Sequence, residues 1–417
     1  MVKISHFHKI IWSTEGFIFS VLVILGLIKF TFTLSNQSVN FNGGTITSKG
    51  VRVYSVAISQ DGKTIVNGNL NKNIDVWNLQ NGKIIHQLCG HGNLVNSVAI
   101  SPNNQIIASG SWDNYIKIWN FKTGKLMRTL SGHQDDVKAV AFSPDGKFLA
   151  SSSWDKTIKV WNVATGDIFI NLPQENEVRN VAFSPDGKII AAGEESGKIM
   201  LWYLPTGKLR IPLAAHSKPI WSLAFSPDGK YIASASSDQT IKLWNLQTGE
   251  LVSVLTGHNK AVYSVVFSPD SLTLASGSYD KTVKLWNVAN GNLIHTFTGH
   301  TKPVWSLAFS PNNHTLISGS ADATIRIWNL PKSVIFRKAV KYAMNAADLT
   351  QTAKSPPEWK RVVERWQKSI NLMASVPSSS VDYAIAQKKI IEYRRNLQYA
   401  YQNAQFSKKD NIFILNF

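Results

Sequence analysis

Five sets of histidine, serine and aspartate recur along this chain, and one such set alone could do hydrolytic chemistry. In each set the His, Ser and Asp stand 28, 10 and 6 residues before a tryptophan. A serine activated by a histidine that a carboxylate orients is the arrangement of nucleophilic hydrolases. The sets are His91, Ser109 and Asp113 before Trp119; His133, Ser151 and Asp155 before Trp161; His216, Ser234 and Asp238 before Trp244; His258, Ser276 and Asp280 before Trp286; and His300, Ser318 and Asp322 before Trp328.

This repetition favours a structural role over catalysis. An enzyme needs one site, whereas every repeated unit must satisfy the indole N–H of its buried tryptophan. A hydrogen-bond chain from Trp through Ser and His to Asp gives each donor an acceptor in the interior. We therefore interpret the five sets as structural tetrads and predict no catalytic residue.

Two further tryptophans, Trp77 and Trp202, lack this set. A partial network would leave buried polar groups unpaired at about 1–3 kcal/mol each, so such networks should be kept whole or lost whole. We expect these two units to be less stable than the other five. The replaced positions are Lys49, Asn67 and Asn71 in the first unit and Gln174, Ala192 and Ser196 in the fourth.

Other chemistry-bearing patterns are missing from the sequence. Cys89 is the single cysteine, so the chain has neither an internal disulfide nor a thiolate metal cluster. It also has no phosphate-binding glycine loop and no isolated nucleophile with a base. We therefore expect no cofactor, no metal and no enzymatic activity.

The tryptophans themselves define the elements that position these residues. From Trp77 to Trp328 the seven stand at intervals of 42, 42, 41, 42, 42 and 42 residues. Residues 132–162 show three strands, VKAVAF, FLASSS and TIKVWN, with the turn SPDG after the first, and a fourth strand precedes each GH. A strand-rich period of this length predicts one four-stranded antiparallel blade per repeat.

On these residues the chain resembles the WD-repeat family of β-propellers, over about residues 38–330. The closing dipeptide is Trp-Asn in six units and Trp-Tyr in the fourth, where the family has Trp-Asp. The resemblance implies an all-β, seven-bladed ring that binds partners at its rim, and the family is known for the tetrad. The last unit lacks an outer strand, which we expect residues 41–47 (FNGGTIT) to supply.

Two positions near the rim vary from unit to unit, and half of these fourteen residues are Trp or Tyr. Aromatic side chains beside cations have the composition of a binding hot spot, although packing between blades would also favour aromatics. We favour a partner-binding surface for a protein or peptide. Its predicted residues are Tyr54, Trp112, Trp154, Lys138, Arg179, Trp221, Tyr263, Tyr279 and Trp305.

An apolar segment, residues 17–34, follows the N-terminal flank of residues 1–16. As a helix it would span roughly 27 Å, close to a bilayer core. Its one charge is Lys29. The pattern favours an uncleaved transmembrane helix over a signal peptide, since residues 1–56 contain no alanine for a cleavage site. We expect a single-pass membrane protein whose propeller leans to the non-cytoplasmic side.

Residues 331–417 form a separate basic region, with 15 basic and 6 acidic residues out of a total net charge of +18. A capping box at Ser355 and Glu358, followed by apolar residues at helical spacing, predicts a helical hairpin. It looks somewhat like one tetratricopeptide-type unit. Its basic face could meet anionic lipid or an acidic partner, and a solvated face is the equal alternative.

The sequence thus predicts a membrane-tethered, non-enzymatic scaffold that captures a protein or peptide partner on an aromatic propeller rim. The alternative is a sensor or nucleic-acid-associated propeller that uses the basic tail. Stacking of single-stranded nucleic acid on the rim is disfavoured, because only Lys138 and Arg179 among the fourteen positions are basic.

Overall fold

The computed structural model describes residues 44–376, except 49, 205 and 211, and residues 382–406. Its β-strands form seven separate antiparallel sheets, or blades. The first strands of successive blades contact each other, and the first strand of blade seven contacts that of blade one, so the blades form a closed ring. The predicted all-β, seven-bladed propeller is confirmed.

The strand bounds follow the repeat. Blades one to three contain β2 Val53–Ile58, β3 Thr64–Asn69, β4 Ile74–Asn78 and β5 Ile84–Leu88; β6 Val95–Ile100, β7 Ile106–Ser111, β8 Ile116–Asn120 and β9 Leu126–Leu130; β10 Val137–Phe142, β11 Phe148–Ser153, β12 Thr157–Asn162 and β13 Ile168–Pro173. Blades four to six contain β14 Val178–Phe183, β15 Ile189–Glu194, β16 Lys198–Tyr203, β17 Lys208–Leu209 and β18 Leu213–Ala214; β19 Ile220–Phe225, β20 Tyr231–Ser236, β21 Ile241–Asn245 and β22 Leu251–Leu255; β23 Val262–Phe267, β24 Thr273–Ser278, β25 Val283–Asn287 and β26 Leu293–Phe297. Blade seven contains β27 Val304–Phe309, β28 Thr315–Ser320, β29 Thr324–Asn329 and β1 Thr45–Thr47.

The N-terminal strand closes the ring as the sequence predicts. Strand β1 pairs with β29 in antiparallel register, with Ile46 opposite Ile325. Ile46 is buried with residues of blades seven and one. The start of the predicted closing segment, residues 41–43, lies outside the described residues.

Local turn chemistry sets the strand ends. In blade three the SPDG turn places Gly146 at a φ of +71°, a conformation that glycine adopts without strain. The Asp145 carboxylate accepts hydrogen bonds from the Ser143 hydroxyl at 2.6 Å and the Lys147 N–H at 3.0 Å. This turn connects the first and second strands, which run antiparallel.

The hydrophobic core lies between blades rather than within them. Each cluster in the ring joins two successive blades; for example, Ile116 and Leu130 of blade two pack with Val137, Leu149 and Trp161 of blade three. A single blade could not bury both of its faces, so each blade depends on its neighbours. Blade four departs from the pattern, because its outer strand is split into the two-residue strands β17 and β18.

Three helices follow the ring, one more than the predicted hairpin: α1 Lys332–Thr352, α2 Pro356–Ala374 and α3 Tyr383–Phe406. The Glu358 carboxylate accepts from the Ser355 N–H at 2.9 Å, as expected for the capping box. The additional helix α1 buries small residues, Ala339, Ala343 and Ala346, against α2 and α3. The fully buried part of its apolar face is therefore alanine, with Phe336, Val340 and Leu349 only partly buried beside it, and this composition gives a weak hydrophobic pattern in the sequence.

The predicted single-pass membrane localisation is not supported, and we correct it. Within the described residues, no helix is long and apolar enough to cross a membrane. The three helices of the structure carry charged residues along their lengths and bury their apolar faces against one another. The segment on which the prediction depended, residues 17–34, lies outside the described residues.

Candidate functional site

The structure brings the four members of each tetrad together. In blade three, Trp161 Nε1 donates to Ser151 Oγ at 2.8 Å, Ser151 Oγ lies 2.7 Å from His133 Nε2, and His133 Nδ1 lies 2.7 Å from Asp155 Oδ2. With the proton on Nδ1, every donor in this chain has an acceptor. The other four tetrads have the same connections.

Burial and hydrogen bonding shift the pKa values of histidines and aspartates in the tetrads. Burial lowers the pKa of His216 and of His300, although Asp238 and Asp322 act in the opposite direction. These two imidazoles are therefore neutral at neutral pH. Burial alone would raise the pKa of Asp155, but hydrogen bonds from the His133 ring and the Thr157 hydroxyl outweigh it and hold that pKa well below its usual value.

All five tetrad serines are fully buried, with no exposed surface. A hydroxyl that no substrate can reach cannot act as a nucleophile unless the blade opens. This burial fits the interpretation that the tetrads stabilise the blades.

Blade one keeps part of the network, which differs from the expected complete loss. Trp77 Nε1 donates to Asn67 Oδ1 at 2.6 Å, so asparagine replaces serine as the acceptor. The Asn67 amide N–H₂ is buried without a partner among the described residues. In blade four, Glu194 is buried and accepts from Ser196 Oγ at 2.7 Å, while Ala192 stands at the serine position.

The predicted partner-binding residues converge on a cavity of about 530 Å³. The cavity lies at the end of the ring where the first strands begin, which we call the mouth. Eight of the nine predicted residues line it: Tyr54, Trp112, Lys138, Trp154, Arg179, Trp221, Tyr263 and Trp305. Tyr279 is 45% exposed beside the cavity, and its ring centroid is 6.0 Å from that of Tyr263.

A buried lysine lies between two tryptophans on one side of the cavity. Lys138 Nζ is 4.2 Å from the ring centroid of Trp112 and 3.5 Å from that of Trp154. Asp136 Oδ2 lies 3.4 Å from the same ammonium. Burial lowers the pKa of Lys138 to about 8, although Asp136 raises it. The indole faces stabilise the ammonium by cation–π attraction.

An arginine occupies the next blade along the ring. Arg179 Cζ is 3.9 Å from the ring centroid of Trp221, and its Nε donates to the Glu195 carboxylate. Trp221 Nε1 donates to Ser237 Oγ at 2.6 Å. Cations and indoles therefore alternate through blades two to five, and each cation also has a carboxylate partner.

The opposite side of the cavity is aromatic. The rings of Tyr54 and Trp305 stack with centroids 4.2 Å apart. Tyr263 meets Trp221 edge to face at 4.6 Å. The cavity thus has a cationic side in blades two to five and an uncharged aromatic side in blades six, seven and one.

Polar residues at the cavity floor join the blades. Ser306 Oγ accepts from the Val56 N–H at 3.0 Å, which links blade seven to blade one, and Ser55 Oγ accepts from the Val98 N–H at 3.1 Å. The same position makes this link in three further blades. Sequence analysis missed this role, although small polar residues repeat there with the period: Ser55, Ser97, Asn180, Ser222 and Ser306.

A second cavity, of about 320 Å³, lies where the helices meet the opposite end of the ring. Lys338 Nζ of α1 donates to the Asn312 carbonyl at 2.9 Å, and Lys341 Nζ donates to the Asp270 carbonyl. Asp270 also accepts from the Asn313 amide at 2.5 Å. These bonds attach α1 to the turns between first and second strands and leave the mouth uncovered by the helices.

The ring, its tetrads and its mouth define a seven-bladed propeller of WD-repeat type, a fold suited to protein–protein interaction. A family model described as the IFT122 first beta-propeller matches residues 52–247 and 219–354, which is more than half of the chain. The chain belongs to this family. A comparison with curated proteins found no match.

Proposed function

We propose that this chain is a non-enzymatic scaffold that binds a protein or peptide partner in the cavity at its mouth. The observation that carries the proposal is the convergence of eight aromatic and cationic side chains on a cavity of about 530 Å³. Binding hot spots are enriched in Trp, Tyr and Arg placed in pockets. The buried tetrads support the non-enzymatic part of the proposal.

The rigidity of the site supports the same proposal. The hydrogen bonds from backbone N–H groups to serine hydroxyls at the cavity floor, and the stacking of Tyr54 on Trp305, hold the aromatic rings in place before a partner arrives. Binding then costs little conformational entropy on the propeller side. Rigid presentation is the mechanism that we infer for this scaffold.

Peptide selection tests the proposal. Peptides would be selected from a random display library on the immobilised chain, and their affinities measured by fluorescence anisotropy. We expect Trp221→Ala and Trp305→Ala to weaken binding at least about tenfold, as hot-spot truncations do. The control is Tyr401→Ala, because Tyr401 is an exposed aromatic residue of α3, away from the mouth.

Equal affinities of wild type and both cavity variants would refute the proposed site. The melting temperature of each variant separates lost contacts from lost folding. Selection of no mouth-dependent peptide at all would refute the proposed function.

The basic helical region remains a separate prediction. Lys360, Arg361, Lys368 and Arg394 are exposed on α2 and α3. They fit contact with an acidic partner or anionic lipid, and a solvated face is the alternative. Salt-dependent binding of the full chain to vesicles containing anionic lipid, lost when these residues become glutamine, would support the first.

A further inference from the structure

The charges around the mouth are divided unequally between its two halves. Blades five, six and seven each present an exposed lysine two residues after the tetrad histidine: Lys218, Lys260 and Lys302. Arg52, Lys72 and Lys281 are exposed at the same end of blades one and six. We call these six residues the basic arc.

The carboxylates near the basic arc neutralise it only in part. Within the described residues of these four blades, the acidic residues at the mouth end are three tetrad aspartates and Asp75. Asp238, Asp280 and Asp322 each lie within 2.8 Å of a histidine ring nitrogen. Asp75 is buried and accepts hydrogen bonds from two side-chain amides, those of Asn69 and Gln87. Six exposed cations therefore stand against four buried or largely buried carboxylates, and this half keeps an excess of positive charge.

Blades three and four have an excess of negative charge in comparison. Asp136 is paired with Lys138, and Glu195 is paired with Arg179. Acidic residues outnumber basic ones among the remaining charges at the mouth end of these two blades: Asp135, Asp155, Glu175, Glu177 and Glu194 against Lys156, Lys159 and Lys198. A negatively charged segment would consequently gain more over the basic arc than over blades three and four.

The backbone of the three equivalent lysines is held in place. The carbonyl of Lys218 accepts from Ser236 Oγ at 3.1 Å, that of Lys260 from Ser278 Oγ at 3.2 Å, and that of Lys302 from Ser320 Oγ at 3.1 Å. The lysines therefore stand at regular positions along the rim, beside the uncharged aromatic side of the cavity. A partner that uses both features needs carboxylates next to an apolar or aromatic side chain.

We propose that the partner segment is an acidic peptide that lies along blades five, six, seven and one. Its carboxylates face the basic arc, and its apolar side chain enters the cavity beside Tyr54, Tyr263 and Trp305. This inference depends on the proposed function and specifies the chemistry of the partner. We favour a peptide over single-stranded nucleic acid, because Tyr54 and Arg179 each cover one ring face of Trp305 and Trp221 and so leave fewer faces on which successive bases could stack.

Three synthetic peptides test the inference on the full chain. In the first, aspartate and glutamate flank a Trp-Leu pair; in the second and third, asparagine and glutamine or lysine replace the acidic residues. We expect the acidic peptide to bind at least about tenfold more tightly than the other two at low salt. The difference should shrink at high salt, because exposed charges are screened over about 8 Å at physiological ionic strength.

Paired charge reversals provide a matched control. Lys260→Glu with Lys302→Glu should weaken binding of the acidic peptide about tenfold, whereas Lys156→Glu with Lys198→Glu should change it less than about twofold. Both double variants change the net charge of the chain equally. The variants Lys260→Gln and Lys302→Gln, together with melting temperatures, separate loss of charge from damage to the fold.

The outcomes separate this inference from the proposed function. Equal binding of the three peptides, lost in Trp305→Ala, would overturn the acidic-partner inference and leave the proposed function standing. Equal weakening by the two double reversals would also overturn the inference. Binding of a single-stranded oligonucleotide that depends on Lys260 and Lys302, with no peptide binding, would overturn both.

Discussion

The molecule contains two sets of tryptophans, one at the position that repeats in every blade and one at the varying positions of the mouth. Both sets belong to the same blades, but their surroundings differ. Trp161, at a position that repeats, is 1% exposed and donates its N–H to Ser151. Trp154, seven residues earlier in the same blade, is half-buried, and its face covers the Lys138 ammonium. The difference teaches that repeating positions maintain the blade, whereas varying positions at the mouth are free to take on other contacts.

Alanine substitutions at this pair should separate the two sets most clearly. Trp161→Ala should reduce the free energy of unfolding by about 3–5 kcal/mol, because it removes a large buried side chain. Trp154→Ala should cost about 1 kcal/mol, since it removes a half-buried aromatic contact. Urea denaturation measures both values. Equal losses would mean that the mouth tryptophans are also part of the core.

Removing the serine hydroxyl that accepts from each tryptophan should also cost more stability at a repeating position than at the mouth, although both losses should be smaller. Ser276→Ala leaves the Trp286 N–H without its acceptor at 2.8 Å in a buried site, so we expect a loss of about 1–3 kcal/mol. Ser237→Ala removes the acceptor of the half-buried Trp221, where water can replace it, and should cost less than about 1 kcal/mol. A reversed order in urea denaturation would contradict this contrast.

Acidic pH should lower the stability of the blades that contain a tetrad. The pKa values of His216 and His300 are lowered by burial in the folded state. The unfolded chain therefore binds protons more readily below about pH 6.5, and the melting temperature should fall from pH 7 to pH 5. The double variant His216→Gln with His300→Gln should be less stable at pH 7 but show a flatter pH dependence. An unchanged slope would mean that these histidines do not report on folding.

The smallest expected effect is a change in the fluorescence of the tryptophans at the mouth. With a pKa of about 8, Lys138 loses its charge between pH 7 and pH 9. The fluorescence of Trp112 and Trp154 should then change with a midpoint near pH 8, because the ammonium lies on both rings. Lys138→Met should abolish this transition. Its persistence in the variant would place the titrating group elsewhere.

Much of the fold could be predicted from the sequence, because a residue at a given distance from the repeating histidine or tryptophan occupies the same place in every blade. The position five residues after the histidine lies at the start of each first strand, so Trp221 and Trp305 could be placed at the mouth. The closing strand could be predicted for the same reason, since blade seven lacked an outer strand.

Other features depend on contacts between blades that no single repeat contains. The Lys138 ammonium meets Trp112 of the preceding blade, which depends on side-chain conformations across an interface. Helix α1 was missed because its buried residues, such as Ala339 and Ala343, give a weak apolar pattern. The floor residues Ser55 and Ser306 did carry a periodic signal, but their role needs the geometry of the neighbouring backbone.

The ring closure has a mechanical consequence. The clasp between β1 and β29 has three residue pairs, from Thr45 opposite Arg326 to Thr47 opposite Thr324. A pulling force applied through the chain ahead of residue 44 would load this clasp before any other strand of the ring. Once β1 separates from β29, blade seven has an unpaired edge strand and the ring is no longer closed. The three residue pairs between β1 and β29 would therefore set the tension that the whole ring withstands.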